Sequence, residues 1–221
     1  LAALPIWGNG FVTPLNSHKY ASALSRNIIA LWQSHGCYYN LEQQRWIWQR
    51  CRLFGQVEDL YTQSYVLPYL VPMLENAGAY VMLPRERDFS SVEVIVDNDG
   101  QFAQPGYHEI SGKHKWSPVE YGFGYTKEIL ADFENPFSMG TARMVETVTK
   151  KNDKPSLAKW SAEIPENGEF AVYISYKTLE KSVSDAVFSI NAADGVHSFK
   201  VNQKIGGGTW IYLGTFEFSP D

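Results

Sequence analysis

The sequence has little cysteine, no long apolar run and no excess of basic residues. Its two cysteines, Cys37 and Cys51, form no Cys-x-x-Cys pair and are too few for a disulfide framework or a cysteine-based zinc site. No stretch of about 18 consecutive apolar residues is present, so the sequence predicts no insertion into a membrane. The net charge is −5 and the basic residues are scattered, which predicts no binding to nucleic acid.

The composition is that of a protein with packed cores. Of the 221 residues, 44% are hydrophobic and 14% are aromatic, and this length suits one large domain or two ordinary ones. Tryptophan and tyrosine fill cores and also form surfaces on which sugar rings stack; core packing is the more common use. The composition therefore predicts a globular protein and leaves its function open.

The most informative segment is residues 26–36 (RNIIALWQSHG), where an apolar run ends at a small polar residue, a histidine and a glycine. The run predicts a strand over residues 26–33 that carries residues 28–32 into the core. Open α/β sheets bind ligands at the carboxyl ends of their strands, which is where Ser34 and His35 would lie. His35 is the first candidate for holding a metal ion or a proton, although a lone histidine more often has a structural role.

A helical pattern follows this strand. Apolar residues recur at three- and four-residue spacing over residues 57–77, and Gly78 supplies a stop. Pro68 and Pro72 each lack an amide hydrogen, so we expect a kink or two shorter helices near residue 68. Residues 79–83 (AYVML) then predict a second buried strand, parallel to the first.

Acidic and basic residues near these strands are further candidates. A catalytic zinc ion needs three protein ligands and an open position for water, and Glu58, in the first turn of the helix, is the natural second ligand after His35. The alternative is that Glu58 only complements the helix dipole. Arg85 and Asp88 follow the second strand, where they would orient a substrate or, as the more common outcome, form a local salt bridge.

The second half of the chain changes to the two-residue alternation of β-strands. Residues 91–130 begin with one alternating run and a turn (DNDG) and then become irregular, predicting a connecting segment. Short strands separated by turns follow, which argues for an antiparallel β-sandwich. The predicted strands are 141–149, 158–164, 169–176, 186–191, 198–202 and 209–218.

Three consecutive glycines, residues 206–208, lie within this β region. They resemble a phosphate-binding loop only superficially, because no Gly-Lys-Ser/Thr pattern and no helix follow. They predict a tight connection that leaves Trp210 and Tyr212 on one face of the next strand and Ile211 and Leu213 on the other. Either pair can be the buried one, and an exposed Trp210 and Tyr212 would suit glycan binding.

Four segments of the first half resemble a known group of bacterial proteins: residues 29–36 (IALWQSHG), 57–65 (VEDLYTQSY), 67–78 (LPYLVPMLENAG) and 83–88 (LPRERD). They are similar to proteins classed as xanthan lyases, which carry an N-acetylmuramoyl-L-alanine amidase-like catalytic fold. The resemblance implies a zinc-dependent hydrolase acting on peptidoglycan, with His35 and Glu58 as the first two zinc ligands. Arg85 and Asp88 match the family's motif after the second strand and, like Ser34, would border the site.

Residues from about 130 to 218 resemble the golvesin-type domain, especially in segments 168–176 (GEFAVYISY) and 201–214 (VNQKIGGGTWIYLG). That domain is a β-sandwich described as carbohydrate-binding-like and is found inserted in such enzymes. Together the two resemblances imply a partial amidase-like α/β region at 1–90, a connecting segment at 91–130 and a golvesin-type β-sandwich at 131–221. They also imply a periplasmic or extracellular location in the cell envelope.

The family's second histidine ligand and its catalytic glutamate have no counterpart in this sequence. We therefore expect a fragment that holds two of three zinc ligands and is inactive alone. The alternative is a non-catalytic glycan-binding or structural module of a xanthan-lyase-type protein, with peptidoglycan or another polysaccharide as its partner. A polysaccharide lyase is a third hypothesis, for which the residues supply no argument.

Overall fold

The structure is a computed structural model that describes residues 11–15, 23–84, 87, 92–100, 103–126, 130–131 and 133–220. These residues are mostly β. Their strands are β1 (Val12–Pro14), β2 (Ile28–Ala30), β3 (Cys37–Asn40), β4 (Arg45–Trp48), β5 (Tyr80–Met82), β6 (Tyr107–Ile110), β7 (Ser117–Gly122), β8 (Gly140–Met144), β9 (Leu157–Trp160), β10 (Gly168–Ile174), β11 (Ala186–Ala192), β12 (Gly195–Val201) and β13 (Ile211–Phe218).

The chain divides into two compact units. Unit 1 comprises Leu1–Phe89, Ser184–Ser189 and His197–Asn202, and unit 2 comprises Ser90–Val183, Ile190–Val196 and Gln203–Asp221. The predicted connecting segment at 91–130 includes two strands, β6 and β7. The residues of this segment show no clear period in the sequence, yet they form strands that pair with later strands. β6 pairs with β9, and β7 pairs with β8.

Unit 1 contains a parallel pair of strands joined through helical structure. β2 pairs in parallel with β5, with Ile29 opposite Val81. Between them lie helix α1 (Glu58–Tyr65), a π-helical turn (Val66–Leu70) and helix α2 (Val71–Asn76). The expected interruption near residue 68 is confirmed: Pro68 has no amide hydrogen for an α-helical bond, and the wider π turn accommodates it.

The core of unit 1 lies between this helical segment and the strand pair. Its buried members are Val66, Leu67, Val71, Ala79 and Val81, and partly buried leucine and isoleucine side chains pack around them. The core therefore uses the apolar stripe of the helices and one face of the strands, as the period of 3.6 residues predicts.

The prediction that residues 28–32 are all buried is wrong. Ile29 packs against the core, whereas Ile28 is 44% exposed and Trp32 is 68% exposed. Successive side chains of a strand point to opposite faces, and the helical segment packs on the face that carries Ile29. The apolar run predicts a fully buried strand, but β2 has one covered face.

An antiparallel hairpin follows the loop after β2. β3 pairs with β4, with Cys37 opposite Trp48 and Asn40 opposite Arg45. One step before this ladder, the amide of Gln49 donates to the carbonyl of Gly36 at 2.9 Å. The hairpin register therefore brings residue 50 back beside residue 35.

The predicted antiparallel β region is confirmed as a set of small antiparallel sheets. Each of the six strands predicted beyond residue 140 overlaps an observed strand, and β10 pairs with β13 over seven residue pairs. In β13 the buried face carries Ile211 and Leu213. The glycine connection before it needs glycine, because Gly206 and Gly208 have φ angles of 77° and 78°.

Candidate functional site

Asp59 is the centre of a hydrogen-bonded cluster in unit 1. It lies in the first turn of α1 and is fully buried. Its carboxylate accepts hydrogen bonds from the Ser34 hydroxyl at 3.1 Å, the His35 amide at 3.0 Å and the Arg50 amide at 3.2 Å. The carboxylate thus fastens the loop after β2 and the chain after β4 to the start of the helix.

The loop that Asp59 holds has an unusual backbone. Ser34 has a φ angle of 89° and Gly36 one of 73°. Glycine adopts such angles freely, whereas a serine there costs of the order of 1 kcal/mol or more. The hydrogen bonds to Asp59 hold Ser34 in this conformation.

His35 lies between an acidic and a basic group. Its Nδ1 atom is 3.6 Å from a carboxylate oxygen of Asp59. Nε of Arg50 also donates towards Nδ1, at 3.4 Å, and Nη2 of Arg50 is 3.3 Å from Nε2. Both nitrogens of the imidazole therefore have a guanidinium nitrogen beside them.

The hydrogen bonds set the charge of Asp59. Burial by itself would raise the pKa of this carboxyl, but the amides of Gly36 and Arg50, the Ser34 hydroxyl and the His35 amide together lower it below the ordinary value of 3.8. Asp59 is therefore ionised at neutral pH. A buried carboxylate is tolerated here because several donors surround it.

This lowered pKa predicts an acid-dependent loss of stability. A group whose pKa is lower in the folded state contributes stability that is complete above its unfolded pKa and is lost as the pH falls through the folded pKa. We expect the free energy of unfolding to fall as the pH is lowered below about 4, and Asp59→Asn to be less stable at neutral pH but less sensitive to acid. Urea unfolding between pH 2 and pH 7 tests this; an equal acid dependence in the two proteins would contradict it.

Of the two predicted metal ligands, His35 belongs to the Asp59 cluster and Glu58 does not contact it through any of the hydrogen bonds described above. Glu58 is exposed at the first residue of α1, whereas its neighbour Asp59 faces His35. Nothing in the sequence separates the roles of two adjacent acidic residues at a helix start. Arg85 and Asp88, the predicted bordering residues, lie outside the described residues.

The residues around His35 do not fit a zinc ion as they stand. Within the part of the chain that the structure describes, no group of three or more histidine, cysteine, aspartate or glutamate side chains is arranged to hold a metal ion. The oxygens of Asp59 already accept several hydrogen bonds, and a cation, Arg50, already contacts the imidazole of His35. Arg50 was missed by sequence reasoning because only the hairpin register brings it to this position.

A second cluster lies in unit 2, on the ribbon formed by β6 and β9. Tyr107 is paired with Trp160, and their ring centroids are 5.3 Å apart. Trp160 is 48% exposed. Nearly half of the Trp160 surface is therefore accessible to solvent, and the Tyr107 ring packs beside it.

A charged pair extends this aromatic face. Glu109, two residues after Tyr107 and so on the same face of β6, accepts a hydrogen bond from the Tyr107 hydroxyl at 2.8 Å. Arg143 of β8 donates to both oxygens of Glu109, from Nε at 2.5 Å and from Nη2 at 2.9 Å. The hydrogen bonds from Arg143 lower the pKa of Glu109, so the pair stays charged at neutral pH.

The two aromatic residues predicted to bind glycans are more enclosed. Trp210 is half-buried and packs against Phe123 and Phe137, with ring centroids 4.7 and 5.5 Å away. Tyr212 is half-buried against Tyr173, and its hydroxyl is 2.8 Å from the hydroxyl of Thr215. Both rings are part of side-chain packing in unit 2.

The β-rich C-terminal part of the chain matches a known domain family. Residues 138–221 match the Golvesin C-terminal domain. This confirms the golvesin-type resemblance of the second half, and the golvesin segment contains Arg143, Trp160, Trp210 and Tyr212. No curated protein and no solved structure matches the chain. Among the described residues, no helix has the length and apolar character needed to cross a membrane.

Proposed function

We propose that the chain contributes a non-catalytic glycan-binding module to an extracellular or cell-envelope protein, and that its partner is peptidoglycan or another polysaccharide. The observation that carries this proposal is the half-exposed indole of Trp160 beside Tyr107 and the Glu109–Arg143 pair. The match of residues 138–221 to the Golvesin C-terminal domain supports it.

The chemistry of this face suits a sugar ring. A pyranose ring has an apolar face of C–H groups and a rim of hydroxyl groups. The flat indole of Trp160 offers apolar surface and an N–H donor. Glu109 offers acceptor oxygens and Arg143 donors at the edge of that surface, so both parts of the sugar have a partner.

We favour Trp160 over Trp210 and Tyr212 as the sugar-stacking residue. A ring that stacks on a sugar needs one free face, and Trp210 already contacts two phenylalanine rings. Tyr212 is half-buried, whereas Trp160 is 48% exposed. Trp210 and Tyr212 would then contribute to side-chain packing in the module and would not contact the ligand.

Binding to insoluble polysaccharide tests the proposal. We expect the purified chain to sediment with peptidoglycan sacculi or to bind immobilised xanthan, with saturation as the chain concentration rises. The same incubations with xanthan should release no unsaturated sugar, because the module is non-catalytic. Absence of saturable binding to both polysaccharides would contradict glycan binding, and accumulation of unsaturated product would favour the lyase hypothesis instead.

A zinc-dependent, amidase-like hydrolase is the second candidate. The observation that favours it is the parallel pairing of β2 with β5 through helical structure, with His35 after the first strand and Glu58 at the start of the helix. A zinc ion would supply a hydroxide nucleophile to such an enzyme. In this chain Asp59 and Arg50 already contact the His35 side chain, so zinc binding at His35 would require Arg50 to move.

A further inference from the structure

Strand pairing in unit 1 places Arg50 beside His35. In the β3–β4 hairpin, Cys37 is opposite Trp48 and the amide of Gln49 bonds to the carbonyl of Gly36. Continuing this register by one residue brings Arg50 opposite His35. The two residues therefore meet because of strand pairing, before any side-chain contact is considered.

Asp59 holds the main chains of both His35 and Arg50. The same buried carboxylate accepts the amide hydrogens of His35 and Arg50, at 3.0 and 3.2 Å. These bonds use main-chain donors, so the backbones of residues 35 and 50 are held at one point. The Arg50 side chain then only has to fold back over a short distance to reach the imidazole.

The contact between the two side chains involves both ring nitrogens. Nε of Arg50 is 3.4 Å from Nδ1 of His35, and Nη2 is 3.3 Å from Nε2. A divalent ion on either nitrogen would lie within a few ångströms of the guanidinium. Two cations so close repel each other. Asp59 is an anion 3.6 Å from Nδ1, but its oxygens already accept several hydrogen bonds and are not free to bind the ion.

We infer that Arg50 acts as a neighbouring cation that excludes divalent metal ions from His35. His35 therefore binds zinc only when the Arg50 side chain moves away or is removed. In this arrangement Asp59 is a positioning residue, because it holds the two segments whose side chains meet. The inference concerns unit 1 and does not depend on glycan binding by unit 2.

A zinc titration followed by NMR of the histidine rings tests this inference. The chain has five histidines, and His35→Ala identifies the His35 signals. We expect Arg50→Ala to lower the zinc concentration that half-saturates the His35 signals at least tenfold relative to the unmodified chain. The fold should survive this change, because alanine keeps the main-chain amide that donates to Asp59; Arg50→Gln should give the same result, and circular dichroism checks folding.

Arg45→Ala is the matched control. Arg45 lies on the same hairpin and its Nε bonds to Gln43, away from His35. Its removal changes the net charge equally, so it should leave the zinc response of His35 unchanged. Equal half-saturation of the His35 signals in the unmodified chain and in Arg50→Ala would overturn the inference. So would a folded Arg50→Ala or Arg50→Gln whose His35 signals do not respond to zinc.

Discussion

Asp59→Ala is expected to lower the free energy of unfolding by about 3–5 kcal/mol, because it leaves several part-buried donors without the acceptor that they share. The Ser34 hydroxyl and the amides of His35, Gly36 and Arg50 all lose the carboxylate that they share. The loop after β2 and the end of the β3–β4 hairpin would then separate from α1. Urea unfolding followed by tryptophan fluorescence measures the loss.

Glu58→Ala is the matched control for this prediction. Glu58 is the preceding residue, has the same charge and is exposed, so its removal should change the free energy of unfolding by no more than about 0.5 kcal/mol. If the two variants were equally stable, or if Glu58→Ala were the less stable one, the central position given to Asp59 would be wrong.

Trp160→Ala is expected to weaken polysaccharide binding at least tenfold, which corresponds to about 1.4 kcal/mol of binding free energy. The change removes the open aromatic surface and keeps the Glu109–Arg143 pair. Because nearly half of the side chain is exposed, the fold of unit 2 should be little affected. Sedimentation with peptidoglycan sacculi and binding to immobilised xanthan measure the affinity, and circular dichroism checks the fold.

Trp46→Ala is the control for that experiment. Trp46 is 69% exposed and belongs to unit 1, so it tests whether any exposed tryptophan has the same effect. We expect Trp46→Ala to bind polysaccharide as the unmodified chain does. Similar weakening in the two variants would indicate non-specific adsorption through exposed aromatic rings.

Local patterns in the sequence were sufficient for the helical segment and the parallel strand pair of unit 1. The spacing of apolar residues predicted the helical segment at 57–77, and the missing amide hydrogen of Pro68 predicted its interruption. The parallel pairing of β2 with β5 also followed from the order of elements. These features depend on neighbouring residues, which is why the sequence alone contains them.

The composition of the His35 cluster could not be predicted in the same way. Asp59 and Glu58 are adjacent acidic residues, and which of them turns inward depends on the rotation of α1 against the loop after β2. Arg50 reaches His35 through the register of a hairpin that the sequence did not predict. Both details are set by tertiary packing.

The sequence also could not show which tryptophan of the β-rich half is exposed enough to bind a glycan. Trp160 and Trp210 both belong to the β-rich half, and strand alternation alone cannot tell which ring has a free face. The structure shows Trp160 half-exposed at a strand end and Trp210 packed against two phenylalanine rings. Exposure depends on neighbours that are distant in sequence, such as Phe123.

The most direct test of the proposed function is an NMR titration of the chain with soluble fragments of peptidoglycan glycan strands and of xanthan. The indole N–H signals identify each tryptophan, and single alanine variants assign them. We expect a saturable shift of the Trp160 signal with one of these glycans, while the Trp46 signal stays in place. Saturable shifts at Trp210 with none at Trp160, or no saturable shift with either glycan, would contradict it.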